Sequence, residues 1–205
     1  MTLRRWIGIG MALTASIVIV VLLLESQLFR DYWQKPGDVV SALAIGPADK
    51  VADIGAGGGY FVPYLADAVG DSGKVYAVDV ETDVIDALRK RFAGDPRVNV
   101  VLGRYADPLL DDGSIDLVVI VNTYHHIANR NDYFVRLRGD LAESGRVAII
   151  EPDGALEGLY SLFTHNEHIS FADSVIEEMR SAGYRHVETH DMLPVQLFEV
   201  FEPIP

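Results

Sequence analysis

The chain has 205 residues, with 30 Asp and Glu against 17 Lys and Arg and a formal net charge of −13. That balance argues against a nucleic-acid groove, because phosphate binding takes clustered Lys and Arg. There is no cysteine, which excludes disulfides, thiolate catalysis and cysteine-ligated zinc.

Residues Trp6 to Leu24 form an uncharged apolar run, WIGIGMALTASIVIVVLLL, preceded by Arg4 and Arg5 and closed by Glu25. As a helix it would span about 30 Å, the hydrocarbon thickness of a bilayer. Residues 1–28 therefore read as a single-pass N-terminal membrane anchor, with one α/β domain over 29–205. A cleaved signal peptide is the alternative. Against it, the run exceeds the usual apolar core of ~7–15 residues, and no small-x-small site follows Leu24. Arg4 and Arg5 on one side nearly balance Arg30 and Lys35 on the other, so the positive-inside comparison is close to a tie.

Phe29 to Pro47 reads as a linker with a short helix over Val39–Ile45, ended by Gly46-Pro47. Lys50–Ile54 is a short apolar strand, Tyr60–Val69 a helix, and Lys74–Asp79 a second strand. Thr82–Phe92 is a second helix with Thr82 as its cap, and Arg97–Leu102 is a third strand. Ile115–Val121 (IDLVVIV) is the β-branched run of a strand buried on both faces. Asn131–Leu141 reads as a helix and Arg146–Glu151 as a fifth strand. After an irregular insertion from Gly154 to Asn166, Ser170–Ala182 is a helix capped by Ser170 and stopped by Gly183. Tyr184–His190 and Val195–Phe201 follow each other too closely for a helical crossover, so they pair antiparallel. Strands alternating with helices imply a parallel sheet with helices on both faces, a three-layer α/β sandwich.

The first strand runs into VADIGAGGGYF. Glycines at 55, 57, 58 and 59 let the backbone approach a ligand at the strand's carboxyl edge, where open α/β sheets bind. Asp79 ends the second strand, where a carboxylate can accept hydrogen bonds from two ribose hydroxyls. A dinucleotide fingerprint would need a glycine where Tyr60 stands. The stretch fits D-x-G-x-G-x-G instead, led by Asp53.

VADIGAGGGYF followed by VYAVDV resembles motifs I and II of the class I, Rossmann-like methyltransferases that use S-adenosyl-L-methionine (SAM). The resemblance covers roughly Pro36 to Pro203. It implies a seven-stranded, mostly parallel sheet with the last strand antiparallel, and a cofactor held by the glycine loop and Asp79. In similar enzymes an acidic residue after strand three meets the adenine amino group, and Asp107 is the candidate; a surface turn before Pro108 is the alternative. The expected cofactor-binding residues are Asp53, Gly55, Gly57, Gly59, Tyr60, Asp79, Asp107 and Asn122.

Val121-Asn122-Thr123-Tyr124-His125-His126 resembles the V-x-x-Y-H-H segment of a bacterial branch of small methyltransferases, with Asn122 in place of an acidic residue. Methyl transfer needs alignment and exclusion of water, and a general base only if the acceptor loses a proton. Histidine suits that task, so His125, His126 and His168 are the candidate catalytic residues. Only one of the adjacent pair is expected to point into the pocket; helix capping or packing is the alternative. His165, Glu167, His168 and His126 match no known metal spacing, and no metal is expected. Glu151 at the end of strand five is a candidate lining residue of the acceptor pocket.

The expected function is SAM-dependent methyl transfer to a small, lipophilic acceptor at a membrane, without a nucleic-acid partner. O-, N- and C-methylation remain open. A non-catalytic binding module with this fold is the main alternative. An NAD-dependent oxidoreductase is disfavoured by Tyr60 and by the antiparallel hairpin. Because SAM is a cytoplasmic metabolite, an active domain would face the cytoplasm.

Overall fold

The computed structural model describes residues 27–154 and 171–205. The chain divides into two units at Pro36/Gly37. In the first, the described element is helix α1 (Gln27–Gln34). The expected membrane anchor, residues 6–24, lies outside the described residues. Among the described residues no helix is long and apolar enough to cross a membrane.

The second unit is built on a seven-stranded sheet in the order β3-β2-β1-β4-β5-β7-β6. Its strands are β1 (Lys50–Ile54), β2 (Lys74–Asp79), β3 (Val98–Leu102), β4 (Ile115–Val121), β5 (Leu141–Pro152), β6 (Tyr184–Thr189) and β7 (Gln196–Pro203). Neighbours from β3 through β5 pair parallel, whereas β7 runs antiparallel to both β5 and β6. The expected α/β sheet with an antiparallel final strand is therefore present.

Side chains along the strands alternate between two cores, as the period of two requires. Val51, Leu117, Val119, Ala148 and Ile150 face one, packed by helices α2 (Pro36–Ala42), α3 (Val62–Val69) and α4 (Thr82–Phe92). Ala52, Val118, Ile120, Val147 and Ile149 face the other, packed by α5 (Arg130–Leu137) and α6 (Ala172–Ser181). Because both faces are covered, β4 carries an almost unbroken apolar run.

Several boundaries differ from the sequence-based expectation, each for a local reason. The first helix of the domain spans Pro36–Ala42 rather than Val39–Ile45; a proline suits a helix start, where an N–H would be unsatisfied. Helix α3 starts at Val62, with Pro63 in its first turn, which leaves Tyr60 and Phe61 buried ahead of it. Thr82 is the first residue of α4 and not its cap; Glu81 takes the cap position without a side-chain capping bond. Helix α5 ends at Leu137, and β5 begins at Leu141 instead of Arg146. Glu143-Ser144-Gly145 falls between the expected helix and the expected fifth strand. In space it is a strand irregularity, with the register to β4 shifting between Ile115 and Leu117. A Cβ on Gly145 would lie 2.7 Å from the Ile115 carbonyl oxygen, so glycine permits this close approach. Ser170, the expected cap of α6, lies outside the described residues.

Candidate functional site

The parallel strands end along one edge, and the chain leaves β1 and β4, side by side, toward opposite flanks of the sheet. Such a switch point opens a crevice for ligands. The glycine loop is pinned there by backbone bonds: Gly55 and Ala56 donate to the Val78 carbonyl at 2.9 and 3.0 Å, and Gly59 donates to Ala56 at 2.8 Å. Gly55 has a φ of +75°, and a Cβ built on it would lie 2.2 Å from Thr123 Cγ2. Thr123 follows β4, and its hydroxyl donates to the Gly55 carbonyl at 3.3 Å. This position is closed to any side chain, which lets the loop and the end of β4 meet.

Asp79 holds the far side of the loop. Its Oδ2 accepts the Gly57 N–H at 3.0 Å, and its Oδ1 accepts those of Val80 and Glu81 at 2.8 and 3.1 Å. A carboxylate offers about four acceptor sites, so these three bonds leave capacity for a ligand hydroxyl.

A cavity of about 390 Å³ opens against these groups. Gly55, Asp79 and Glu81 line one side of it, with apolar surface from Ile54, Val78, Pro108 and Ile127. Thr123, His126, Tyr133, Arg104 and Tyr105 line it as well. Its size falls within the range of small-molecule sites, and its mix of apolar wall and few polar groups is what such sites use. The Tyr105 hydroxyl donates to Glu81 Oε1 at 2.6 Å, joining the loops after β2 and β3 at the rim. That bond raises the Tyr105 phenol above its ordinary value. Burial does the same for Tyr133, which keeps its proton.

The expected residues divide into two groups. Gly55, Asp79 and His126 line the cavity, and Gly57 meets it through Asp79. Asp53 is buried, at 3% exposure, beneath the loop, and Tyr60 packs its ring against Phe61 and Tyr64. Gly59, at φ +72°, faces Phe92, with a built Cβ 2.6 Å from that ring. The Asp107 carboxylate takes the Leu109 N–H at 2.9 Å and lies 3.5 Å from Arg136, while Arg104, Tyr105 and Pro108 present that loop to the cavity. Asn122 has a φ of +52°, and its Oδ1 accepts from Gln196 Nε2 at 2.8 Å. His125 turns to Glu151, with Nδ1 2.5 Å from Oε2. So one histidine of the pair reaches this cavity and its neighbour meets a buried carboxylate. His168 lies outside the described residues. Among the described residues no cluster of three or more His, Asp or Glu is arranged to hold a metal ion.

Sequence reading passed over Thr123, Glu81, Tyr105 and Tyr133. For Thr123, Glu81 and Tyr105 the available signal was positional, whereas Tyr133 lies within α5. Residues just past β2, β3 and β4 must share one edge with the glycine loop once the sheet is parallel.

Comparison with known proteins agrees with this geometry. A family profile for a methyltransferase domain matches residues 51–145. The chain carries a class I methyltransferase domain. An uncharacterized 37.1 kDa protein in transposon TN4556 of Streptomyces fradiae is 32% identical over 115 residues, which is 56% of this chain and 33% of that protein. Ribosomal RNA small subunit methyltransferase A of Parasynechococcus marenigrum is 34% identical over 105 residues, 48% of this chain and 34% of that protein. The chain thus spans about a third of the length of these two curated relatives. A SAM-dependent methyltransferase from Aquifex aeolicus has the same fold, with a TM-score of 0.75 at 21% identity over 84% of this chain and 91% of that one.

SAM is the cofactor of this domain. The residues present fit it: an acceptor carboxylate on Asp79 for a ribose diol, a side-chain-free approach at Gly55, and apolar walls at Ile54, Val78 and Pro108 for a purine ring. When bound, SAM supplies an electrophilic methyl group on a sulfonium.

Proposed function

We propose that this protein is a membrane-tethered enzyme that transfers a methyl group from SAM to a small, lipophilic acceptor. The observation that carries the reading is the meeting of Asp79, Gly55 and His126 on one cavity at the switch point of the sheet. The glycine loop and Asp79 hold the nucleoside end, and the turn after β4 faces the end where transfer occurs. His126 lies on that side. The Parasynechococcus relative is named for ribosomal RNA. The net charge of −13 in this chain supports a small acceptor instead. Residues 6–24 supply the tether, which would concentrate the enzyme beside membrane-dissolved acceptors, with the domain on the cytoplasmic side where SAM is made.

Calorimetric titration of the full chain with SAM and S-adenosylhomocysteine tests the cofactor half of this reading. Micromolar binding lost in Asp79→Ala supports it; a folded wild-type chain that binds neither compound refutes it. Retention of the protein in membranes after an alkaline wash tests the tether, and release into the wash removes it.

A further inference from the structure

The loop after β3 is closed on itself. Arg104 donates its backbone N–H to the Asp107 carbonyl at 2.7 Å, and Asp107 returns the bond to the Arg104 carbonyl at 3.1 Å. Gly103 ties this loop to β2. Its N–H donates to the Asp79 carbonyl at 2.9 Å, and a Cβ built on it would lie 3.0 Å from Val78 Cγ1. Arg104 and Tyr105 therefore enter the cavity lining next to Asp79 and Val78.

Donors and acceptors are unevenly divided at this end of the cavity. The Arg104 guanidinium offers N–H donors and no acceptor. Although the chain carries a net charge of −13, Arg104 makes no ion pair with any carboxylate among the described residues. The nearby acids are committed elsewhere. Asp107 stands outside the lining, with the Leu109 N–H on Oδ1 at 2.9 Å and Arg136 3.5 Å from Oδ2. Glu81 accepts the Tyr105 hydroxyl on Oε1 at 2.6 Å, and its own N–H is held by Asp79 Oδ1 at 3.1 Å. Tyr133 adds a hydroxyl to the lining, and burial keeps its proton in place.

With a ribose on Asp79, the attached purine reaches the β3 side of the cavity, where Val78, Pro108 and Arg104 stand. Adenine presents the ring acceptor N7 beside an amino donor. A 6-oxo purine presents N7 beside a second acceptor, O6. A guanidinium matches the second pattern with two bonds, as arginine does on guanine, whereas on adenine one of its donors meets the amino hydrogens. Reading the amino group takes an acceptor, and the acid after β3 that would supply it is turned away to Leu109 and Arg136.

We propose that Arg104 reads the base of the cofactor through N7, and that the site therefore accepts a 6-oxo purine in place of adenine. This rests on the methyltransferase reading above. SAM binds through N7 and leaves its amino group to solvent at the mouth of the cavity, where the rim residue Tyr105 is 68% exposed. S-inosylhomocysteine, the deaminated form of the product S-adenosylhomocysteine, gains the second bond through O6. It is thus a further ligand of the same site. Deaminating the product would not clear it from this enzyme, and the deaminated compound would compete with SAM.

The test is calorimetric titration of the full chain with S-adenosylhomocysteine and S-inosylhomocysteine. The wild type is expected to bind the inosyl compound within about threefold of the adenosyl one, or more tightly; a larger adenosyl preference overturns the proposal. Arg104→Gln supplies an amide that donates to N7 and accepts from the amino group, the pattern that suits adenine. It is expected to move the affinity ratio about tenfold toward the adenosyl compound. A merely structural Arg104 would weaken both ligands together, so an unchanged ratio in the folded variant also overturns the proposal. Glu81→Gln is expected to keep the ratio within about threefold of wild type; a larger move away from the adenosyl compound assigns the amino group to Glu81 and overturns the role of Arg104. The wild-type ratio is a test even if neither variant folds. A folded wild-type chain that binds neither compound overturns the methyltransferase reading, and this role falls with it.

Discussion

Asp140 lies between α5 and β5 at 6% exposure, and its Oδ2 is buried with no hydrogen-bond partner. Burial, with Asp107 and Asp112 adding repulsion, pushes its carboxyl up from 3.8 to about 6. In the unfolded chain it titrates near the ordinary value, about 4. Between those values the folded protein holds a proton that the unfolded chain has released. Stability attributable to this group therefore falls as pH rises through the window from about 4 to about 6. The penalty is complete above it and absent below it. A shift of about two units corresponds to about 3 kcal/mol, and local relaxation lowers this to about 2. Asp140→Asn removes the charge with little change of shape. It is expected to stabilise the protein by about 2 kcal/mol near pH 7.5, a rise in Tm of about 4–8 °C, and to change nothing near pH 4. Scanning calorimetry of both proteins at the two pH values measures this. An equal effect at both, or a loss of stability at the higher pH, would refute the assignment of a charged, unpaired Asp140 in the fold.

Two further substitutions probe the site's framework. Gly55→Ala forces a Cβ to within 2.2 Å of Thr123 Cγ2 at a φ of +75°. The backbone term alone costs about 1–2 kcal/mol, and the clash parts the loop from β4. SAM affinity is expected to fall at least about 30-fold while circular dichroism stays native; calorimetric binding within a few-fold of wild type would contradict the close approach. Tyr124→Phe removes the 2.6 Å bond to Glu178 and should lower stability by about 1–2 kcal/mol in urea titration, leaving SAM affinity unchanged.

The sheet was legible where strands carry uninterrupted apolar or β-branched runs. The limits of β1, β2 and β4 read directly from KVADI, KVYAVD and IDLVVIV. The start of β5 was hidden because Ser144-Gly145 has turn chemistry. Glycine is needed there because a Cβ would meet the Ile115 carbonyl, distant in sequence, together with Leu141 Cβ and Ala142 N across the irregularity. The same logic applies to the site. The glycine loop and Asp79 were legible because one βαβ unit brings them together. Thr123 reaches Gly55 only through the parallel register in which Ile54 stands opposite Ile120. Tyr105 outranks Asp107 at the cavity because Asp107 is drawn to the Leu109 N–H and Arg136, contacts without a local sequence signature. The fate of the adjacent histidines was half legible. Divergence within a tight turn implies that one faces the pocket, but which one depends on Glu151, supplied by the next strand.

The two sides of the crevice are built from different materials, and this has a kinetic consequence. On the side of β1 and β2 stand a glycine-rich turn and a carboxylate already clamped by three N–H groups. On the side of β4 and β5, side chains outside the cavity lining form a network, with Glu151 holding His125 and Gln196, from β7, holding Asn122. Preorganised charge of the second kind contributes chiefly when charge develops during reaction, whereas the first kind acts equally on ground and transition states. Under the proposed function, substitutions at Gly55 or Asp79 should therefore weaken cofactor binding with little change in the rate at saturation. Substitutions at Glu151 should leave SAM affinity near wild type and lower the transfer rate. The boundary between the two behaviours should fall between β1 and β4, where the topology of the sheet reverses.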